Sequence, residues 1–188
     1  MELKNAKGLT LTELIIVSIL TGIFMVGIVA FDYATRRAEE SGSKVSLLAM
    51  NAATAMLQIS RDAFQAIGSK DDPGIVLPDV NTTYIRQQDV TTGGLANNVW
   101  VLYEYDDSNY ALYRCLSTNA GETCANNSPR ETILQDVVQA SFNFVASSQS
   151  FFLEVTIKTR GDPTAPADSM KNPEYTLFTR NNLPGHTW

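Results

Sequence analysis

Histidine and cysteine are scarce in this chain of 188 residues, and their scarcity removes several classes of chemistry. The one histidine is His186, so no Ser-His-Asp arrangement and no site of clustered histidines can be assembled. The two cysteines, Cys115 and Cys124, lack the spacing of a zinc-binding pair, and no glycine-rich phosphate loop is present. We therefore expect no catalytic residues, no bound metal and no cofactor, and we expect that the protein is not an enzyme.

Positive charge is also in short supply. Lysine and arginine number 14 against 20 aspartates and glutamates, which gives a formal net charge of -6. Because an acidic surface repels the phosphate backbone, nucleic acid is not an expected partner. Hydrophobic residues make up 44% of the chain, enough for one domain core and a long helix but not for two cores.

An uncharged apolar run extends over residues 14–31 and is long enough to span most of a bilayer. Glu13 stands directly before it. A carboxylate near hydrocarbon is costly, so it indicates a function and a charged partner. An ordinary signal anchor, with Glu13 reaching to the interface, is one alternative. A cleaved secretory signal is another, but residues 28–30 make a poor small-x-small cleavage site.

The residues around this junction read MELKNAKG-LTLTELIIVSIL: a short leader with two lysines ends in Gly8, Leu9 follows, and Glu13 is the fifth residue after Gly8. This pattern resembles the type III signal sequence of type IV pilins and pseudopilins, although Leu9 stands where phenylalanine is usual. The resemblance implies that prepilin peptidase cuts between Gly8 and Leu9 on the cytoplasmic side and methylates the new N-terminus. Gly8 and Leu9 are therefore the predicted processing residues.

A cut after Gly8 would leave an α-amino group at Leu9, one helical turn from Glu13. In a bundle of such helices, the carboxylate of one subunit can pair with the amine of its neighbour at one axial stagger. We predict that Glu13 sets the register of assembly. The partners that the resemblance implies are other pilin subunits, major and minor, prepilin peptidase and an inner-membrane assembly platform.

The helical pattern continues beyond the apolar run. Apolar residues recur at spacings of three and four and form one stripe on an otherwise polar helix: Val45, Leu48, Ala52, Met56, Ile59, Ala63 and Ile67. No proline interrupts residues 9–67, and Gly68 and Pro73 supply a stop. The sequence thus predicts one helix of about 88 Å. Gly22 and Gly27 are either bending points or close-packing sites within it.

From Ile75 onward the apolar period changes to two, which predicts strands. Two hairpins are expected, over residues 99–105 with 110–115 and over residues 137–145 with 151–160, followed by a last strand over residues 175–181. Residues 161–174, with three prolines, are expected to be a surface loop. We predict an α+β fold, in which a long N-terminal helix, first transmembrane and then amphipathic, packs on an antiparallel β-sheet, as in pilins.

The resemblance also implies the domain organisation and the location. Residues 1–8 would be the leader, 9–31 the transmembrane or filament-core half of the helix, 32–68 its amphipathic half and 69–188 a periplasmic β-domain. The protein would cross the bacterial inner membrane once, with the C-terminal domain in the periplasm, and then enter a cell-surface pilus. Orientation follows from the leader, because Lys4 and Lys7 are balanced by Arg36 and Arg37.

An exported domain bears on the two cysteines and the acidic groups. An even cysteine count in an oxidising compartment indicates a disulfide between Cys115 and Cys124, worth under about 3 kcal/mol, with two free thiols as the alternative. The acidic groups at residues 71–72 and 104–107 could ligate calcium, but a solvated turn explains them more simply because no loop of alternating oxygen ligands is present.

The function that these patterns favour is that of a structural subunit. The strand order is most similar to minor pilins of the W type and to pseudopilins of the J type. We expect a minor pilin that is assembled at or near the tip of a type IV pilus and promotes its assembly. The alternatives are a pseudopilin of a type II secretion or DNA-uptake system and, in another class, a bitopic membrane protein with a periplasmic ligand-binding domain.

Overall fold

The computed structural model describes residues 10–68, 74–88, 98–124, 130–146, 150–168 and 172–183. The chain divides into two compact units, Met1–Gly42 and Ser43–Trp188, and the residues of the helix fall partly in each. The elements in chain order are α1 (Leu11–Phe64), β1 (Ile75–Asp79), β2 (Thr82–Gln88), β3 (Asn98–Asp106), β4 (Ala111–Ser117), β5 (Arg130–Leu134), β6 (Val137–Ala146), β7 (Phe151–Arg160) and β8 (Glu174–Asn182).

The long helix is confirmed, and it ends three residues before the predicted end at Ile67. Its last turn tightens at Ala66, whose N–H donates to the Ala63 carbonyl at 3.1 Å. The N–H of Ile67 then donates to the carbonyl of Arg86 in β2 at 2.9 Å. The helix stops here because the sheet takes the next backbone donor, before Gly68 is reached.

Eight strands form two antiparallel sheets, one of five strands in the order β1-β2-β3-β4-β5 and one of three in the order β6-β7-β8. The hairpins β3–β4 and β6–β7 and the last strand β8 confirm the predicted strands within one or two residues at each end. The two sheets meet where the Phe142 N–H of β6 donates to the Val80 carbonyl beyond β1, at 2.9 Å. The fold class is therefore α+β, with two sheets in place of the single one predicted.

In the second unit the predicted stripe of α1 faces the core. Five of its residues are buried, and Val45 and Ile67 are half-buried. The core that they join draws on both sheets, with Val101 and Leu112 from the larger and Leu153, Val155 and Ile157 from the smaller, among others. Small residues such as Ala52 and Ala63 let the strands approach the helix closely.

The opposite side of this part of α1 is not polar throughout. Four large apolar side chains are 54–72% exposed there: Leu47, Met50, Leu57 and Phe64. The prediction of an otherwise polar helix is therefore wrong. A core-facing stripe at spacings of three and four does not exclude a second row of apolar residues on the other side of the same helix.

The predicted surface loop between β7 and β8 is organised by one buried side chain. The Asn172 amide nitrogen donates to the carbonyls of Asp162, Ala165 and Pro166, and its amide oxygen accepts from the Asp162 N–H at 2.7 Å. Asn172 thus supplies the hydrogen bonds that a strand partner would otherwise provide.

Candidate functional site

The head of α1 is closed by a reciprocal pair of residues, Thr10 and Glu13. The Glu13 carboxylate accepts from the Thr10 backbone N–H at 2.9 Å and from the Thr10 hydroxyl at 2.8 Å. The Glu13 N–H in turn donates to the Thr10 hydroxyl oxygen at 3.3 Å. This is a capping box, which satisfies backbone donors that the first helical turn leaves unpaired. Both side chains are exposed. In the single chain, the predicted assembly residue is therefore also a helix cap.

The predicted processing residues Gly8 and Leu9 lie outside the described residues. The predicted pairing between the Leu9 amine of one subunit and the Glu13 carboxylate of its neighbour therefore stays a prediction. The sequence signal for Glu13 was its position before the apolar run. Its hydrogen bonds to Thr10 were missed, although the Thr-x-x-Glu spacing of a capping box is visible in the sequence.

Behind the cap, α1 presents an apolar surface on every side. All large hydrophobic side chains between Leu11 and Phe31 are 47–77% exposed. Water contact of such a side chain costs about 1.5–3 kcal/mol relative to burial. The helix is long and apolar enough to cross a membrane. Exposed apolar surface of this extent is typical of a segment that lipid or other apolar helices cover.

Polar groups within the apolar run are satisfied by the helix itself. The Ser18 hydroxyl donates to the Ile15 carbonyl at 2.8 Å, and the Thr21 hydroxyl donates to the Val17 carbonyl at 2.7 Å. Hydroxyls bonded in this way carry little penalty in hydrocarbon. The first ion pair after the run joins Asp32 to Arg36 at 3.0 Å, where charged residues begin.

Gly22 and Gly27 also lie in the apolar run. Apart from the neighbouring backbone of the helix itself, a Cβ atom added at either position would meet no atom of the described chain within 4 Å. Packing within the chain therefore does not require glycine at these positions. Small residues on an apolar helix allow a second helix to approach closely.

The second unit holds the predicted disulfide. Cys115 at the end of β4 is bonded to Cys124, which excludes the alternative of two free thiols. The bond packs against Tyr84 and Leu102 in a small apolar cluster of the five-stranded sheet. The Cys124 N–H donates to the Glu104 carboxylate at 2.7 Å, so the loop is fixed to β3 as well. The disulfide and these contacts hold the end of the loop at Cys124 against β3 and β4.

The acidic turn after β3 caps itself. Both carboxylate oxygens of Asp106 accept hydrogen bonds, from the Asn109 amide at 2.6 Å and from the backbone N–H groups of Ser108 and Asn109. These hydrogen bonds lower the pKa of Asp106, and the bond from the Asn109 side chain has the largest effect. Among the described residues no group of three potential metal ligands is found, and residues 71–72 lie outside the described ranges.

Sequence reasoning missed a buried polar cluster that joins α1 to the five-stranded sheet. Asp62, which is 5% exposed, accepts from the Tyr103 hydroxyl at 2.6 Å and from the Arg114 Nε at 2.8 Å. Burial, reinforced by the charge of Asp62, raises the pKa of Tyr103. Desolvation works against the charged form of Arg114, but its interactions with Asp62 and Tyr103 outweigh this effect and raise its pKa. The sequence signal for this cluster is Asp62 itself, because it lies three residues after Ile59 and so places a carboxylate beside the apolar stripe.

The layout of the chain, an apolar N-terminal helix followed by antiparallel sheets, is compatible with that of a pilin. No protein-family model matches the chain, and neither curated proteins nor solved structures give a significant match.

Proposed function

We propose that this chain is a minor pilin, a structural subunit that prepilin peptidase processes and that joins a type IV pilus at or near its tip, where it promotes assembly. The observation that carries the proposal is the placement of Glu13. Its carboxylate stands at the head of a helical surface whose apolar side chains are exposed all round. A bilayer would cover this surface in the free subunit, and neighbouring helices would cover it in a filament.

The same geometry supports a role for Glu13 in assembly. In the free chain, Thr10 supplies hydrogen bonds but no positive charge. A carboxylate moved into a bundle of apolar helices needs a cation beside it. After a cut at Gly8, the Leu9 amine of a neighbouring subunit is the cation that the proposal provides. Pairing at one axial stagger would then favour one register over the others.

The location and the partners follow from this proposal. The subunit would cross the bacterial inner membrane once, with its C-terminal domain in the periplasm, before it enters the filament. Other pilins, prepilin peptidase and the inner-membrane assembly platform would be its partners. A pseudopilin of a type II secretion or DNA-uptake system would share the processing and the register mechanism. Purifying the filaments and asking which of them contain this chain separates the two.

Mass spectrometry of the membrane fraction tests the processing step. We expect the mature protein to begin at an N-methylated Leu9, and Gly8→Arg should block the cut. A chain that keeps Met1, or one that is cut beyond Ala30, would contradict the pilin proposal. Either result would favour the bitopic membrane protein or a secretory signal.

Two matched substitutions at Glu13 separate charge from helix capping. Glutamine can also close a capping box, so Glu13→Gln keeps the cap and removes the charge, whereas Glu13→Val removes both. We expect both variants to be processed and membrane-resident but poorly recruited to filaments, as measured by immunoblots of sheared filaments. If Glu13→Gln enters filaments at the wild-type level, the register mechanism is wrong and capping explains the glutamate.

A further inference from the structure

A groove follows one side of α1 in the second unit. Two adjoining cavities of about 560 and 290 Å³ form it, and Thr54 lines both. The larger extends to Gln65, with Gln87 of β2 and Arg114 of β4 in its lining, and the smaller extends to Asn51. From residue 51 to residue 65, a helix rises by about 20 Å.

Strand β5 and the residue after it provide the far wall of the smaller cavity. In the part of the chain that the structure describes, β5 pairs with β4 alone and is therefore an edge strand. One side of an edge strand presents backbone N–H and C=O groups that the sheet does not use. An added strand of six residues spans about 20 Å, which matches the length of the groove. The geometry suits an extended polypeptide laid beside β5.

The larger cavity is lined by the guanidinium group of Arg114, which a hydrogen bond to Asp62 holds in place. Asp62 accepts from the Arg114 Nε and is itself fixed by the Tyr103 hydroxyl, while 21% of the Arg114 side chain stays open. Arg61, which is exposed, lines the same cavity. Asp62 balances one of the two arginine charges, and among the described residues the second is met only by the exposed carboxylate of Glu131. This end of the groove can therefore accept a carboxylate in place of Glu131, and arginine binds a carboxylate in a defined geometry.

Glu131 is a competitor built into the chain. Its carboxylate lies 3.9 Å from Arg114 Nη1, beyond hydrogen-bond distance, and its side chain is 57% exposed. An ion pair so open to water is weak. A carboxylate from a bound segment can therefore displace Glu131 from Arg114.

We propose that this groove binds an extended segment of a partner protein, with an acidic residue at the Arg61 and Arg114 end. Leu57, which is 72% exposed and lines the larger cavity, would contact an apolar side chain of the segment. The proposal goes beyond filament membership and depends on the second unit alone. It therefore stands or falls separately from the role of Glu13.

Synthetic peptides test the proposal on the full chain in detergent micelles. The probes are two fluorescein-labelled hexapeptide amides of alternating valine and threonine. One peptide carries a single glutamate at its N-terminal end, and the other carries it at its C-terminal end. We expect saturable fluorescence anisotropy for at least one of them. Replacing the glutamate with lysine should weaken binding at least about tenfold, and N-methylation of alternate backbone nitrogens should abolish it, because pairing with β5 needs those N–H groups.

Three single variants place the site on the protein. Arg61→Gln should weaken binding of the acidic peptide about fivefold to tenfold, and Glu131→Gln should tighten it a few-fold because the competitor is gone. The control is Arg180→Gln, which removes an arginine 48% exposed on β8 and should change nothing.

Several outcomes would overturn the proposal. They are an acidic peptide that does not bind at millimolar concentration, a lysine or N-methylated peptide that binds equally well, and an Arg61→Gln variant with wild-type affinity. Glucuronate that competes as strongly as the peptide would also overturn it, since it would assign the groove to acidic sugars.

Discussion

The buried cluster of Asp62, Tyr103 and Arg114 offers a sharp test of how α1 is held to the sheet. The perturbation is Arg114→Met, which keeps the length of the side chain and removes its charge. Asp62 is 5% exposed, and among the described residues its carboxylate would then keep only the Tyr103 hydroxyl as a side-chain partner. Leaving one member of a buried ion pair without its counter-charge costs about 3–5 kcal/mol.

This magnitude gives a measurable shift. A urea m-value of about 2 kcal/mol/M converts a loss of 3–5 kcal/mol into a midpoint lowered by about 1.5–2.5 M. The assay is urea unfolding of the full chain in detergent micelles, followed by tyrosine circular dichroism in the near ultraviolet. Tyr103→Phe serves as the graded comparison, because it removes one hydrogen bond to a charged group and should cost about 1.5–3 kcal/mol.

A double variant decides whether the pairing itself is the cause. Asp62→Leu combined with Arg114→Met removes both charges, and replacement of a buried ion pair by apolar groups is often neutral. We expect the double variant to be more stable than Arg114→Met alone. If Arg114→Met unfolds within about 1 kcal/mol of the wild type, or if the double variant is no better than the single one, Asp62 is not the buried unpaired charge that this reasoning requires.

Three further predictions concern the second unit. The raised pKa of Tyr103 keeps its phenol protonated in the folded state, while the phenol of the unfolded chain ionises near its ordinary pKa of 10.0. The free energy of unfolding should therefore be unaffected below that pH and fall by about 1.4 kcal/mol per pH unit above it. Tyr103→Phe should remove this slope in urea titrations between about pH 9 and 11. Replacing both Cys115 and Cys124 with alanine should lower the free energy of unfolding by about 2–3 kcal/mol, and an unchanged urea midpoint would show that the loop's other contacts suffice. Gly74→Ala should lower the free energy of unfolding by about 1–3 kcal/mol, because φ is +62° and the new Cβ would collide with the Ile67 carbonyl. Gly121→Ala is the control and should cost less, because at φ +105° the new Cβ meets no atom within 4 Å beyond its chain neighbours. Equal urea midpoints for the two variants would contradict this prediction.

Helices and strands with a regular apolar period could be predicted from the sequence. A strand that forms only because a neighbouring strand pairs with it could not. The hairpin β3–β4 was predictable because apolar residues alternate on both sides of a polar turn. Strand β5 begins with the exposed residues Arg130, Glu131 and Thr132 and has no such period. It is a strand because β4 pairs with it, with Cys115 opposite Arg130.

The candidate sites divide in the same way. The disulfide between Cys115 and Cys124 could be predicted because the chain holds a single pair of cysteines, whereas the assembly role of Glu13 stays a prediction. Asp62 could not be matched to Arg114, because 52 residues separate them and the fold alone brings them together. The groove beside β5 was equally hidden, since it depends on an edge strand that carries no apolar period.

The order of strands in the two sheets has a consequence for how the chain folds. Each sheet is a meander of strands that are consecutive in sequence, so every ladder forms between chain neighbours with a small loss of loop entropy. Contacts of long sequence separation join the two sheets, such as Phe142 with Val80, and join the sheets to α1, such as Met56 with Thr179, 123 residues apart. Because local pairings form faster than distant ones, we expect the sheets to assemble first and to dock on α1 in a later, slower step. Hydrogen-exchange protection should accordingly appear in β3 and β4 before it appears in residues 48–63.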